Sequence, residues 1–382
     1  MTPRPRTRLL IVAAAAALVA ATAAVTLASV TRTSHPARDL PLRRVGELAL
    51  PGGSTRFDYE SLDPGRGLLF IAHLGDSQVI ETDIRASHVV RVISGLADVH
   101  GVLVVPALHR VYATATGDNQ MAAIDEDTGK ILYRAPTGDY PDGLAYDPIR
   151  HAIWTTNETG GTETVIDAAT GTVRGTVTLG GEAGNVAYNP DGGHGTGQML
   201  ADIQTLGQLA VIDPATLAVT RRVPLPGCDH DHGLTLDPPG RLAFIACDGN
   251  ARLLTLNLTT WHITGTSTVG DQPDVLAYDP AASRLYVAAE SGDLTILDNH
   301  AGHLTVTGRA HLADGAHVVA VNPGTHDSYY PIPDAPGGHP ALLTSPHSES
   351  PSAAYRPRRQ DRTELSGWPA TRIPHRSAEG VR

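Results

Sequence analysis

A short segment ending in Asp-Pro or Asn-Pro returns along this 382-residue chain every 42 to 47 residues, and a period of that length constrains the fold more than composition does. Phe57-Asp58-Tyr59-Glu60-Ser61-Leu62-Asp63-Pro64 aligns with Pro141-Asp142-Gly143-Leu144-Ala145-Tyr146-Asp147-Pro148. Asp231-His232-Gly233-Leu234-Thr235-Leu236-Asp237-Pro238 and Pro273-Asp274-Val275-Leu276-Ala277-Tyr278-Asp279-Pro280 follow the same pattern. Looser copies at 100–106, 185–190 and 317–323 bring the number to seven.

Every copy continues alike. A turn leads to an apolar strand such as Leu68-Leu69-Phe70-Ile71-Ala72 or Arg284-Leu285-Tyr286-Val287-Ala288, and a polar loop leads to a third strand. That strand ends in Asp83, Asp125, Asp167, Asp213, Asn257 or Asp298, and Thr128-Gly129 or Thr170-Gly171 then supplies a tight turn into a fourth. Four short strands per unit with almost no helical periodicity define an all-β fold, a seven-bladed β-propeller of four-stranded antiparallel blades. A single unit cannot bury both faces of its sheet, whereas stacked neighbours can. The seventh copy offers strands only near 317–322, 327–332 and 340–344, while residues 43–50 precede the first copy without a partner. The N-terminal strand is therefore expected to complete the last blade. A ring closed in this way hides its sheet edges, so the expected state is a monomer.

The repeats occupy 43–346, and both ends differ in character. Residues 1–35 carry Arg4, Arg6 and Arg8 ahead of an apolar run from Leu9 to Val30, the layout of an export signal. Its length also suits a retained membrane anchor, and Ala21-Thr22-Ala23 also permits cleavage, so both readings stand. In either case the body is expected outside the cytoplasm, touching membrane only through this segment. Residues 347–382 turn to Pro, Ser and Arg without apolar periodicity, a disordered tail by composition. Fourteen of the 29 bases but only five of the 40 acids lie in residues 1–44 and 347–382, which leaves residues 45–346, the body, with 15 bases against 35 acids. A net of −20 repels phosphate backbones and excludes nucleic acid as a partner of the body. Cys228 and Cys247 are the chain's two cysteines, and a disulfide is the default in an exported protein. If Asp237 and Arg241 flank the Pro-Pro-Gly turn, paired positions sum to 478 and Cys247 faces Asp231, with Cys228 in reach of a folded-back loop.

With its Asp-Pro turns, its Leu-Tyr-Val-Ala-Ala strands and its Ile-Asp-x-x-Thr-Gly turns, the chain resembles the YncE-like, YVTN-type propellers exported by bacteria, over 43–345. The resemblance implies architecture and location. It implies little chemistry, because propellers of this kind include binding proteins, lactonases and lyases.

One position per copy, just before the apolar alternation of the first strand, carries Asp58, His100, Asp142, Asn185, His232, Asp274 and His317. First strands line a propeller's channel, so these seven are expected to form a ring at one mouth. Asp, His and Asn bind metals and exchange protons, which makes the ring a candidate ligand site, with His100, His232, His317, Asp142 and Asp274 the candidate metal ligands. The alternative is structural, a polar residue that hydrogen-bonds the adjacent turn. A purely structural position would use one residue type throughout, and this one does not. Loops between second and third strands should reach the same mouth with His73, Asn157, Glu158, Gln204, Asp248 and Glu290. The run Cys228-Asp229-His230-Asp231-His232 is the densest candidate ligand cluster, or a polar loop held by the disulfide. Tyr59 and Tyr140 flank ring positions and fit either a pocket wall or blade packing.

No phosphate loop, HExxH, Gly-x-Ser-x-Gly or CxxCH motif occurs, and aromatics are only 4%, which disfavours a base- or sugar-stacking surface. Two functions fit. The first is a binding propeller whose mouth takes a small molecule, a metal ion or an envelope protein. The second is a lactonase- or lyase-like enzyme in which one divalent ion (Ca, Mg, Mn or Zn) polarises a carbonyl while a ring histidine serves as base.

Overall fold

The computed structural model describes residues 46–192 and 195–346. The segment expected at 1–35 and the tail expected at 347–382 lie outside the described residues. No helix among the described residues is long and apolar enough to cross a membrane.

Seven four-stranded antiparallel sheets account for the described chain. The innermost strands are Glu60–Asp63, Val99–Val105, Pro141–Asp147, Val186–Asn189, Asp231–Asp237, Pro273–Asp279 and Ala320–Val321. In six blades the strand order follows the chain. In the seventh, Gly46–Ala49 pairs with His339–Ser345 as the outermost strand, so the N-terminal strand closes the ring as expected. Second strands are buried on both faces: Leu68–His73, Ala152–Asn157 and Leu242–Cys247 are buried at every position. Outer strands such as His262–Thr268 alternate between half-buried and exposed residues. Trp154 packs fully buried between blades three and four against Val186 and Met199.

The recurring acids have a local task. Asp63 Oδ1 accepts from the amides of Gly65 and Arg66, and Asp147 and Asp279 repeat this capping in their own Asp-Pro turns. The acids that end third strands do the same, as when Asp167 accepts from Ala169 and Thr170. Much of the body's negative charge is thus turn chemistry. Gly129 and Gly171 hold φ values of 69° and 76° in those turns, where Ser87, Leu217 and Trp261 take φ between 52° and 60° in other blades.

The disulfide joins Cys228 to Cys247 with Cα atoms 5.2 Å apart, a bond that belongs to an oxidising compartment. The register that predicted it needs correcting. Asp237 pairs with Leu242 and Leu234 with Ile245, one residue away from the expected alignment. A β-bulge between Asp231 and Leu234 then restores the pairing of Asp231 with Cys247.

Candidate functional site

That bulge recurs, and it is what aims the ring. In blades two, three, five and six the register shifts by one residue across His100, Asp142, His232 and Asp274 respectively. A bulge leaves one residue unpaired and turns its side chain out of the ladder, here towards the channel mouth. The close approach of the blades depends on the next residue. Gly101, Gly143 and Gly233 leave no room for a Cβ: it would strike the carbonyl oxygen of Asp142, the side chain of Asn185 and the carbonyl oxygen of Asp274, all ring residues of the following blade. Backbone bonds tie the ring together as well, from Tyr59 N to His100 O and from Asn185 N to His232 O.

Two residues before the ring position, Asp98, Tyr140, His230, Gln272 and Gly315 all adopt φ between 45° and 73°. This left-handed step turns a carbonyl back towards the ring. His100 Nδ1 donates to Asp98 O at 2.8 Å, and His317 Nδ1 donates to Gly315 O at 2.9 Å. In blade five the His230 carbonyl accepts from Asp248 N instead, and His232 Nδ1 meets Gln204 Oε1 at 3.2 Å. Gln204 is fixed in this sense because its amide nitrogen donates to Glu158 Oε1 and Ala183 O. All three ring histidines therefore carry a proton on Nδ1, which turns Nε2 of His100 and His232 into the mouth and Nε2 of His317 towards Asp274 behind it, the arrangement by which metal-binding histidines are oriented.

The Nε2 atoms meet different partners. His100 Nε2 lies 3.1 Å from the Tyr140 hydroxyl. His232 Nε2 forms an ion pair with Asp274 Oδ1 at 3.3 Å and stands 3.9 Å from Asp142 Oδ2. His317 is fully buried, and its Nε2 lies 3.7 Å from Asp274 Oδ2 without a hydrogen-bond partner. One donor atom each from Asp274, Glu290 and His317 fall within 4.8 Å of one another. Arg56 reaches over this group, with Nη1 2.5 Å from Glu290, Nε 3.4 Å from Asp58 and Nη2 3.9 Å from Asp274.

Burial works against every charge here, and the partners decide the outcome. Burial disfavours the Asp274 carboxylate, yet the His232 hydrogen bond and the charges of His232, His317 and Arg56 pull its pKa down to about 2. Burial likewise opposes the His232 imidazolium, but Asp274, Asp142 and Glu158 raise it to about 10. Asp142 has weaker support: burial and the neighbouring Asp58 push it up to about 7 against the pull of His100 and His232. Asp58 is raised by burial in the same way.

A cavity of about 500 Å³ opens above these groups. Its walls include the expected ring residues Asp58, His100, Asp142, His232 and Asp274, the expected loop residues Glu158, Gln204, Asp248 and Glu290, and Tyr140. His317 stands behind Asp274 and Glu290. Asn185 turns down instead, donating to the Tyr59 hydroxyl at 2.6 Å across the channel, so the two form a floor between the mouth and a lower cavity of about 350 Å³. His73 is buried beside Thr55 and Phe57, and Asn157 is bonded within its own blade to Thr162 and Thr164. The dense Asp/His run disperses: Asp231 is buried and accepts from Ile203 N, Asp229 and His230 face solvent, and only His232 reaches the mouth. Sequence reasoning missed Arg56 and Gln272. Both lie two residues before a ring position, where the copies share no side-chain chemistry that would mark them.

No family model matches this chain, and no curated protein does. Among solved structures it is similar to a chain of Kuenenia stuttgartiensis hydrazine synthase, at 15% identity and a TM-score of 0.63, over 73% of this chain and 93% of that one. It is also similar to a chain of a mitotic checkpoint complex, at 14% identity and a TM-score of 0.64, over 79% of this chain and 91% of that one. Likeness at this identity shows the fold alone: the class is a seven-bladed β-propeller with an Asp/His ring at one mouth.

Proposed function

We propose that the chain is an exported propeller of the YncE-like type that holds a divalent cation between Asp274, Glu290 and His317, and with it a small ligand in the cavity above. The observation that carries this reading is His317. Its Nδ1 is anchored on the Gly315 carbonyl with Glu290 Oε2 3.3 Å away, and its Nε2 sits buried without a hydrogen-bond partner 3.7 Å from Asp274 Oδ2. Burying such a nitrogen unsatisfied is unfavourable, and a metal ion resolves it. Imidazole with carboxylate suits Mn²⁺ or Zn²⁺ better than Ca²⁺ or Mg²⁺, which prefer all-oxygen shells. Metal–ligand distances near 2.1 Å would draw the three donors to about 3 Å apart, a closure of the kind that side chains at a channel mouth accommodate.

Calorimetric titration of metal-free protein with Mn²⁺ and Zn²⁺ tests the reading. One site per chain is expected, weakened at least tenfold in Asp274→Asn, which keeps the shape and removes the charge. Absence of uptake by the wild type would refute it.

An enzyme reading draws on one further contact. The Asp98 carbonyl holds the Nδ1 proton of His100 and leaves Nε2 3.1 Å from the Tyr140 hydroxyl, an oriented imidazole next to a proton carrier on the cavity wall. With a cation polarising a bound carbonyl, that pair suits lactone opening or β-elimination. Turnover of a lactone panel by the Mn²⁺-loaded protein would decide for it.

A further inference from the structure

We infer that Arg56 is a tethered counter-cation that shuts monovalent ions out of the mouth and gives way only to a divalent one. This rests on the cation site proposed above. The guanidinium contacts Glu290 and Asp274, two of the three donors proposed for the metal, and bridges them to Asp58. A guanidinium cannot lose its charge in a protein, so in this position it competes with any cation for the same oxygens. Asp58 and Asp274 are almost wholly buried, whereas the Arg56 side chain is 42% exposed and has solvent on one side into which to swing. The arginine is the more movable member, and the buried acids need only small side-chain adjustments.

The competition is uneven. A sodium or potassium ion carries the same unit charge as the guanidinium, but it arrives from dilute solution, whereas Arg56 is held beside the acids by its own chain at a high effective concentration. A divalent ion carries twice the charge and approaches oxygen at near 2.1 Å, where Arg56 stands 2.5 to 3.9 Å away, so its attraction to each carboxylate is more than doubled. Arg56 also eases the crowding of Asp58, Asp274 and Glu290: its charge offsets part of theirs until a stronger cation arrives. Displaced, the guanidinium would lie free at the rim of the cavity.

The test uses the full chain and Mn²⁺ alone as probe, at constant ionic strength. Arg56→Gln is expected to bind Mn²⁺ at least tenfold more tightly than wild type. Replacing choline chloride by sodium chloride at about 0.1 M should leave wild-type Mn²⁺ affinity within twofold and weaken that of Arg56→Gln severalfold. Should Arg56→Gln fail to fold, Arg56→Lys reads the same effect, because a single ammonium cannot span three carboxylates: Mn²⁺ affinity three- to tenfold above wild type is expected. Unchanged or weaker Mn²⁺ binding in the folded variants overturns the role of Arg56 and leaves the cation site standing. No Mn²⁺ binding by wild type or variants overturns both.

Discussion

Glu163 shows at the scale of one residue what burial does to a carboxyl without a counter-charge. It lies wholly inside blade three, accepts one hydrogen bond from Thr156 Oγ1 at 3.1 Å, and leaves Oε2 without a partner. Burial raises its pKa from 4.5 to about 8. The folded state keeps this proton up to about pH 8 while the unfolded chain releases it near 4.5, so its share of stability is complete below pH 4.5 and is lost as pH rises through 8. Glu163→Gln keeps the acceptor and removes the ionisation. At pH 8 it should be more stable than wild type by about 1–3 kcal/mol, and its stability should vary less between pH 5 and 8 by chemical denaturation. A wild-type-like pH profile in the variant would show that Glu163 is ionised in the fold. The mouth handles the same problem differently: Asp274 is equally buried and stays ionised because His232, His317 and Arg56 surround it.

At the scale of the strand, the bulge and the glycine that follows the ring position work as one device. The bulge aims a polar side chain at the channel, and the missing Cβ at Gly101, Gly143 and Gly233 lets the next ring residue pack against it. Gly233→Ala would press a methyl group against the Asp274 carbonyl, Leu276 and Ala246, with no flexible side-chain end to absorb the first of these. It should cost about 1–3 kcal/mol and also weaken Mn²⁺ binding, because Asp274 is the residue displaced. A loss of stability with Mn²⁺ affinity unchanged would separate the packing from the site. None of this device is legible in sequence. An inserted residue reads as one more residue of strand, so a register counted from the turn at Pro238-Pro239-Gly240 falls one position off at Leu234 and Asp237, and the bulge returns Asp231 to Cys247.

For the molecule as a whole, legibility followed symmetry. Seven copies of one pattern specify seven blades, and an orphan strand at the N-terminal end specifies how the ring closes. The same averaging found the ring, because residues over forty positions apart share one place in their copies. It failed where function departs from the repeat. Arg56 occupies a position that Asp98, Tyr140, His230, Gln272 and Gly315 fill with unrelated side chains, so alignment gives it no meaning. The density of Asp229, His230 and Asp231 next to His232 misled in the opposite sense, since a bulged strand sends its neighbours to different environments. Proximity in a propeller is set between blades, and local sequence crowding is a poor guide to it. The deciding property of the molecule is whether its mouth coordinates a metal through the ring. Pulsed electron paramagnetic resonance of the Mn²⁺-loaded protein tests this most directly. Modulation from a histidine nitrogen is predicted in the wild type and should disappear in His317→Gln, whereas a spectrum showing only water protons and no nitrogen in the wild type would contradict the site.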